Sequence, residues 1–126
     1  MNNNSFGCYA EYLFCAECTK RGFIVSMPTL DSSHYDCIVD NGKKIYKIQI
    51  KSSRKIPTDR VNSVLIPIHS YSIKYTKEKV DFFAVFSSFY EGFFIFPNNG
   101  TQQSFRASLR GLNKIYYNNF DLLKKY

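Results

Sequence analysis

The sequence predicts an α/β fold in which a mixed β-sheet is flanked by helices. Apolar residues in segment 5–21 recur near the 3.6-residue period of an amphipathic helix. Residues 43–53 alternate apolar and polar side chains, as a strand with one buried face does, and an apolar strand at 35–40 precedes them. Two aromatic-rich segments, 81–88 and 92–96, flank a turn that contains glycine and predict a further pair of strands.

The first elements have recognisable ends. Asn4 or Ser5 can cap the start of the first helix, and Gly22 can end it, because glycine adopts the left-handed conformation that often follows a helix. A short strand is expected at 23–27. Asn41-Gly42 is expected to form a tight hairpin turn between the two strands that come next.

The second half of the chain is less regular. Residues 54–61 are polar and broken by proline, which predicts a loop. The apolar segment 64–68 contains Pro67, so we expect an edge strand there at best. From residue 101 onward the pattern predicts a helix in two pieces, broken near Gly111. Its expected apolar residues are Leu109, Leu112, Ile115 and Tyr116, followed by Phe120 and Leu122.

Length and composition predict one globular domain over residues 1–126. The hydrophobic fraction of 44% suits a real core. No segment reaches the roughly 18 apolar residues of a membrane span, and the N-terminus lacks the basic and apolar regions of a signal peptide. We therefore expect a cytoplasmic protein that has no membrane partner.

The charge balance favours a polyanionic partner. The chain has 17 Lys and Arg residues against 10 Asp and Glu, which gives a formal net charge of +7. Nucleic acid is the simplest partner for such a surface. The alternative is that the lysines only keep a small domain soluble.

The four cysteines are interpreted as free, small hydrophobic residues. A disulfide framework needs an oxidising compartment, which nothing in the sequence supports. A zinc site is the alternative, but the Cys15-x-x-Cys18 pair lacks a second pair or a histidine at ligand spacing. The cysteines are Cys8, Cys15, Cys18 and Cys37.

Three polar residues inside an apolar strand are the strongest sign of chemistry. Along residues 43–53, Lys47, Gln49 and Lys51 point to the face opposite the apolar residues. A core strand has no packing reason to carry Gln and Lys side by side, whereas a site that holds a phosphate and a metal does. Asp36 lies near the start of the preceding strand, across a glycine turn.

Glu11 on the first helix, Asp36 on one strand and Gln49-Ile50-Lys51 on the next form an ordered pattern that resembles the PD-(D/E)XK nuclease superfamily. The chain is similar to the branch in which Gln replaces the middle acid, first to intron-encoded homing endonucleases and then to archaeal Holliday-junction resolvases. His34-Tyr35 stands where the family name has proline. The resemblance covers roughly the first hundred residues. It implies a restriction-endonuclease-like core and a metal-dependent DNA endonuclease.

The resemblance also implies a role for each residue of the pattern. Asp36, Gln49 and the Ile50 carbonyl would hold Mg²⁺ (or Mn²⁺), and Glu11 would reach the same metal through water. Lys51 would orient the attacking water or stabilise the developing charge. Because Gln49 brings no charge, only two carboxylates would serve the metal, and we expect modest metal affinity.

Double-stranded or branched DNA is the implied substrate. The loop after the Gln-x-Lys strand offers hydroxyls and cations that can hold the phosphates flanking the cut. One domain has one site and cuts one strand, so we expect a homodimer or homotetramer. The expected DNA contacts are Ser52, Ser53, Arg54, Lys55 and Arg60.

Two alternatives to this interpretation are open. Asp36 and Glu11 can be ordinary polar residues of a strand edge and an amphipathic helix, and the Gln-x-Lys face can simply be wet. The chain can also be a non-catalytic binding module on a decayed nuclease fold, with Gln49 as the first mark of decay. Two further basic runs are either DNA contacts or solvated faces: Lys74, Lys77 and Lys79, and, at helical spacing, Arg106, Arg110 and Lys114.

Overall fold

The computed structural model describes residues 1–30, 33–58, 62–69 and 74–125. Among them it forms one α-helix, α1 (Asn3–Lys20), seven strands and two 3₁₀ helices. The strands are β1 (Ile24–Ser26), β2 (Cys37–Asp40), β3 (Ile45–Ser53), β4 (Val64–Pro67), β5 (Phe82–Ser87), β6 (Gly92–Pro97) and β7 (Ser104–Ala107). The 3₁₀ helices are Leu112–Tyr116 and Phe120–Lys124.

The main sheet is mixed, as predicted. Its strand order is β1-β2-β3-β5-β6. β3 and β5 run parallel, and every other neighbouring pair in this sheet is antiparallel. β4 and β7 form a separate antiparallel pair. Pro67, at the end of β4, lies opposite Ser104, so the segment is an edge strand, which confirms the expectation for 64–68.

The start of α1 differs from the prediction by two to three residues. The N-cap is Asn2, whose side-chain oxygen accepts a hydrogen bond from the Ser5 backbone N–H at 2.8 Å. Asn4 and Ser5, which were expected to cap the helix, lie inside its first turn, where a side-chain cap would no longer meet the unpaired N–H groups.

The end of α1 is the one predicted. Gly22 has a φ of 89°, the left-handed conformation that favours glycine. Its N–H bonds to the Thr19 carbonyl at 3.0 Å, and the Phe23 N–H bonds to the Cys18 carbonyl at 3.1 Å. This Schellman arrangement turns the chain into β1 and packs Phe23 into the core beside Cys18.

Two apolar layers cover the two faces of the main sheet. α1 packs on one face with Phe6, Ala10, Phe14 and Cys18. The β4–β7 pair covers the other face over β5 and β6, whose alternate residues Phe83, Val85, Phe94 and Phe96 point toward it. β5 and β6 are therefore buried on both faces, which explains their aromatic content.

β3 is buried on one face only. Tyr46, Ile48 and Ile50 lie under α1, whereas Lys47, Gln49 and Lys51 on the opposite face are half-buried. Gln49 pairs with Phe83 and Lys51 with Val85 across the parallel ladder, so both share the face of the β4–β7 layer. The alternation predicted for this strand is confirmed, and it leaves a polar strip beside an apolar layer.

The prediction of a two-piece α-helix from residue 101 is wrong. Phe105 and Ala107 are buried while Ser104 and Arg106 are exposed, which is the two-residue period of β7. Arg106 thus shares no helix face with Arg110 and Lys114. Pairing with a distant strand has overridden the local pattern.

The tail beyond β7 forms only short 3₁₀ turns. Leu112 and Ile115, expected on a buried face, are 93% and 67% exposed. Phe120 is buried as expected, but its companion in the core is Leu123 rather than Leu122. The shift of one residue follows from the tighter repeat of a 3₁₀ helix.

The four cysteine thiols are free, with Cys18 and Cys37 buried, Cys15 partly buried and Cys8 exposed. Within the part of the chain that the structure describes, no helix is both long and apolar enough to cross a membrane.

Glycine substitutions test the close approach of the tail to β6. A Cβ on Gly92 would lie 2.7 Å from a ring carbon of Tyr117 and 2.8 Å from Asn118 Oδ1. Gly92→Ala should lower the free energy of unfolding by roughly 1–3 kcal/mol through overpacking. Gly7→Ala is the matched control, since a Cβ there meets nothing within 4 Å and helix propensity favours alanine. Urea denaturation should give opposite signs for the two variants, and equal effects would contradict the packing argument.

Candidate active site

The predicted residues meet where β2 begins beside the middle of β3. Asp36 is the last residue before β2, and its N–H donates to the Ile48 carbonyl at 2.8 Å. Its carboxylate then turns along β3, and Oδ2 accepts a hydrogen bond from the Ile50 N–H at 2.8 Å. Asp36 is thereby fixed against the stretch Gln49-Ile50-Lys51, because both its backbone and its side chain bond to β3.

Burial sets the electrostatics of Asp36. The carboxyl is half-buried, and desolvation raises its pKa above the ordinary value. The Ile50 N–H and the positive charge of Lys51 act in the opposite direction without cancelling the effect. A cation at this carboxylate would offset the cost of its burial, so the site favours a positively charged ligand.

Gln49 and the Ile50 carbonyl lie side by side. Gln49 is half-buried, and its Nε2 approaches the Ile50 carbonyl oxygen at 3.4 Å, which is a weak hydrogen bond. A carboxamide can present either its oxygen or its nitrogen after rotation about its last torsion. The amide and the carbonyl can therefore offer two oxygens to one cation next to Asp36.

Lys51 reaches from β3 toward the β4–β7 layer. Its Nζ donates to Tyr75 Oη at 3.0 Å and lies 4.7 Å from the centroid of the Tyr75 ring. The positive charge of Lys51 also acts on the Asp36 carboxyl and lowers its pKa. Tyr75 was not singled out from the sequence. It lies 24 residues from Lys51, in a segment without regular periodicity.

Glu11 approaches the site from α1. It is half-buried, and both its carboxylate and that of Asp36 act on the Cys15 thiol, one turn further along the helix. The pKa of Cys15 is lowered mainly by a hydrogen bond with the Cys37 thiol, against burial and the two carboxylates. The pKa of Cys37 is raised by the same bond and by burial. Helix and strand thus bring the two acids within electrostatic range of one thiol.

The candidate ligand set is poor in charge. Among the described residues, no group of three or more His, Cys, Asp or Glu side chains is arranged to hold a metal ion. The predicted set consists of two carboxylates, one amide and one backbone carbonyl. Oxygen ligands of this kind suit Mg²⁺ or Mn²⁺ rather than a thiophilic metal.

The third polar residue of β3 has a structural role. The Lys47 N–H donates to Asp81 Oδ2 and the Asp81 N–H donates to the Lys47 carbonyl, both at 2.8 Å. The Lys47 ammonium bonds to the Glu78 carbonyl. Lys47 therefore connects β3 to the start of β5, and only Gln49 and Lys51 of the triplet belong to the site. His34, two residues before Asp36, accepts a hydrogen bond from Lys79 Nζ at 3.4 Å.

The predicted DNA-binding loop is partly engaged within the protein. Ser52 is half-buried, and the buried Ser53 accepts a hydrogen bond from the Lys55 N–H at 3.2 Å. Lys55 itself is exposed, and its Nζ lies 3.5 Å from the Leu65 carbonyl. Arg60 lies outside the described residues.

Arg54 attaches this loop to the start of the chain. Its guanidinium donates to the Met1 carbonyl at 2.7 Å and to Asn3 Oδ1 at 2.8 Å. It also lies 4.8 Å from the centroid of the Phe6 ring. These partners could not be predicted from local sequence patterns, because they are about fifty residues away along the chain.

A cleft of about 660 Å³ opens beside the Lys51–Tyr75 contact. Tyr75 and His69 form part of its wall, and Lys74, Thr76 and Thr101 contribute an ammonium and two hydroxyls. Such groups commonly hold phosphate oxygens. Tyr75 thus lines the cleft and also contacts Lys51.

The fold is similar to two solved nuclease structures. One is the bacterial homing endonuclease I-Ssp6803I, with 18% sequence identity and a TM-score of 0.81 over 98% of this chain and 91% of that one. The other is Hjc, a Holliday junction resolvase from the archaeal hyperthermophile Archaeoglobus fulgidus, with 13% identity and a TM-score of 0.61 over 95% of this chain and 97% of that one. These likenesses confirm the predicted restriction-endonuclease-like fold.

A comparison with curated protein sequences gave no match. The family model described as PD-(D/E)XK endonuclease matches residues 1–113, which contain Glu11, Asp36, Gln49 and Lys51. Because this match spans most of the chain, the protein belongs to the PD-(D/E)XK endonuclease family.

Proposed function

We propose that the protein is a divalent-metal-dependent DNA endonuclease that hydrolyses phosphodiester bonds at a specific site, as a homing endonuclease does. One observation carries the proposal: the half-buried Asp36 carboxylate is bonded to the Ile50 N–H, directly beside Gln49 and Lys51. An acid with a raised pKa, an amide, a carbonyl and an ammonium lie together at β3, the central strand of the sheet. Family membership supports nuclease chemistry for this cluster.

In this proposal Asp36, Gln49 and the Ile50 carbonyl hold Mg²⁺ or Mn²⁺, and Glu11 reaches the ion through water. The ion, when bound, neutralises phosphate charge and makes water a better nucleophile at neutral pH. Asp36 fits this role because a cation offsets the cost of its burial. Lys51 orients the attacking water or stabilises the charge that develops on the phosphate.

The proposed substrate is double-stranded DNA. The net charge of +7 supports a polyanionic partner. Ser52, Ser53, Arg54, Lys55 and Arg60 are proposed to contact the phosphates that flank the cut. A homodimer or homotetramer would bring two sites to the two strands.

The second candidate is a Holliday-junction resolvase, which would use the same residues on a branched substrate. The likeness to Hjc over 95% of this chain favours it over other nuclease roles. A non-catalytic binding module remains the alternative of a different class. The presence of both Glu11 and Lys51 speaks against decay of the site.

Cleavage assays separate these candidates. The parent protein should cut duplexes from a library with a randomised central segment in the presence of Mg²⁺ or Mn²⁺, and should leave a synthetic four-way junction intact. Asp36→Asn and Lys51→Met should each lower the rate by at least about a hundredfold, since each removes a group from the reacting centre. Asp40→Asn, at the far end of β2 from Asp36 and beside the hairpin, should keep the parent's rate. Full activity of both site variants would exclude the assignment.

Thermal unfolding tests Asp36 without relying on cleavage. Burial raises the pKa of Asp36, so the folded parent loses stability as the pH rises through that pKa. Asp36→Asn removes the buried charge and keeps an acceptor for the Ile50 N–H. In metal-free buffer at pH 7–8 it should melt a few degrees higher than the parent. The gain should vanish near pH 3, where the parent's carboxyl is also neutral.

Added Mn²⁺ should reverse the difference in melting temperature between Asp36→Asn and the parent. Mn²⁺ should raise the melting temperature of the parent and of Asp40→Asn, because it binds the folded state only, and should leave Asp36→Asn unchanged. An equal Mn²⁺ response in Asp36→Asn would contradict the proposed ligand.

Salt dependence tests the DNA-binding loop. Lys55→Ala should reduce the slope of log affinity against log salt concentration by about one, with unchanged stability. Arg54→Ala should have the same effect on the slope and should also lower the free energy of unfolding by about 1 kcal/mol, because it loses its bonds to Met1 and Asn3. Lys44→Ala, at the other end of β3, is the control and should keep both quantities. An unchanged slope in both loop variants would place the DNA elsewhere.

A further inference from the structure

The contact between Lys51 and Tyr75 combines two attractions on one ammonium. Nζ donates a hydrogen bond to Tyr75 Oη at 3.0 Å and lies 4.7 Å from the ring centroid, within the range of a cation–π contact. A lysine side chain has four rotatable carbon–carbon bonds and loses much rotamer freedom when it is fixed. Two simultaneous contacts with one ring restrict it far more than either contact would alone.

Tyr75 is itself held rigidly by the core. It is 5% exposed, and its ring packs against Phe83 at 5.6 Å and His69 at 5.4 Å between centroids. The Tyr75 carbonyl accepts a hydrogen bond from Asn98 Nδ2 at 2.8 Å. The ring position is therefore fixed independently of Lys51.

Asn98 also holds the chain around Tyr75 in place. It is 6% exposed, and the same amide nitrogen also approaches the carbonyls of Thr76 at 3.2 Å and Val80 at 3.0 Å. One buried amide thus holds the whole turn that leads from Tyr75 into β5. A side chain that is held in this way can fix the position of a flexible side chain that binds to it, such as that of Lys51.

We infer that Tyr75 is a positioning residue for Lys51, holding its ammonium in place for the cleavage reaction. The inference rests on the proposed function, since it assigns Tyr75 a role in that reaction. Lys51 Nζ bonds to Tyr75, and the positive charge of Lys51 also acts on the Asp36 carboxyl. Because the phenol oxygen accepts the bond from Nζ, the phenol proton points away from the lysine. A fixed ammonium enters the reaction without first being ordered, which favours the rate of the chemical step rather than DNA affinity.

The experiment compares three tyrosine variants. Tyr75→Phe keeps the ring and the packing but removes the acceptor for Nζ, and Tyr75→Leu removes both. Tyr46→Phe is the matched control, because it also removes a buried phenol from the site's own neighbourhood. Tyr46 lies on β3 as Lys51 does, but on the α1 face, and its hydroxyl bonds to the Lys125 carbonyl.

The measurements separate positioning from binding and folding. They are the single-turnover cleavage rate on the randomised duplex library and on the four-way junction with Mn²⁺, the DNA dissociation constant without metal, and the melting temperature. Tyr75→Phe should lower the rate about tenfold, the loss of one charge-assisted hydrogen bond. Tyr75→Leu should lower it by about a further tenfold, since the cation–π contact is also lost. The dissociation constant and melting temperature of Tyr75→Phe should match those of Tyr46→Phe.

Each of the other outcomes contradicts either the positioning role of Tyr75 or the proposed function. If the parent cuts DNA and Tyr75→Phe cuts as fast as Tyr46→Phe, the positioning role is wrong and the proposed function stands. If Tyr75→Phe weakens DNA binding as much as it slows cleavage, Tyr75 contacts DNA directly and does not act through Lys51. A parent that cuts neither substrate overturns the proposed function and the inference together.

Discussion

The parallel pairing of β3 with β5 is the constraint on which the site depends. Asp81 fixes it, because its N–H donates to the Lys47 carbonyl and its carboxylate accepts from the Lys47 N–H, both at 2.8 Å. A slip of one residue would exchange the faces of β3 and turn Gln49 and Lys51 toward α1. On the other edge of β3 the Asp36 carboxylate bonds to the Ile50 N–H. One strand, held by an acid at each edge, thus carries the polar groups of the site.

The burial of Asp36 lowers the stability of the folded protein, and in the proposed function it serves the chemistry of the site. Asp36 would be more stable at the surface, where its charge would be fully hydrated, yet the fold keeps it half-buried with a raised pKa. The opposite face of β3, to which Asp36 is bonded, carries the buried Tyr46, Ile48 and Ile50 and packs under α1. The rigidity of that face allows the polar face to hold an unfavourable carboxylate in one position, because the backbone that carries it cannot relax.

Structural features that depend on neighbouring residues could be predicted from the sequence, whereas those that depend on pairing between distant segments could not. The alternation along β3 and the glycine end of α1 depend on neighbouring residues, and both are as expected. The strand over 104–107 depends on its pairing with β4, almost forty residues away, and was mistaken for a helix. The contacts of Arg54 with Met1 and of Tyr75 with Lys51 could not be predicted from the sequence, because each pair is far apart along the chain.

The neutral side chain of Gln49 is related to the contact between Lys51 and Tyr75. An acid at position 49 would attract the nearby ammonium and partly neutralise it. An amide at this position leaves the ammonium without that anchor, and the phenol of Tyr75 is an acceptor that holds a cation without cancelling its charge. The substitution of a neutral residue in the motif and the presence of a neutral partner for the lysine are therefore consistent with each other. In the proposed function they would leave the positive charge of Lys51 available to a phosphate and would give a weaker attraction for a metal.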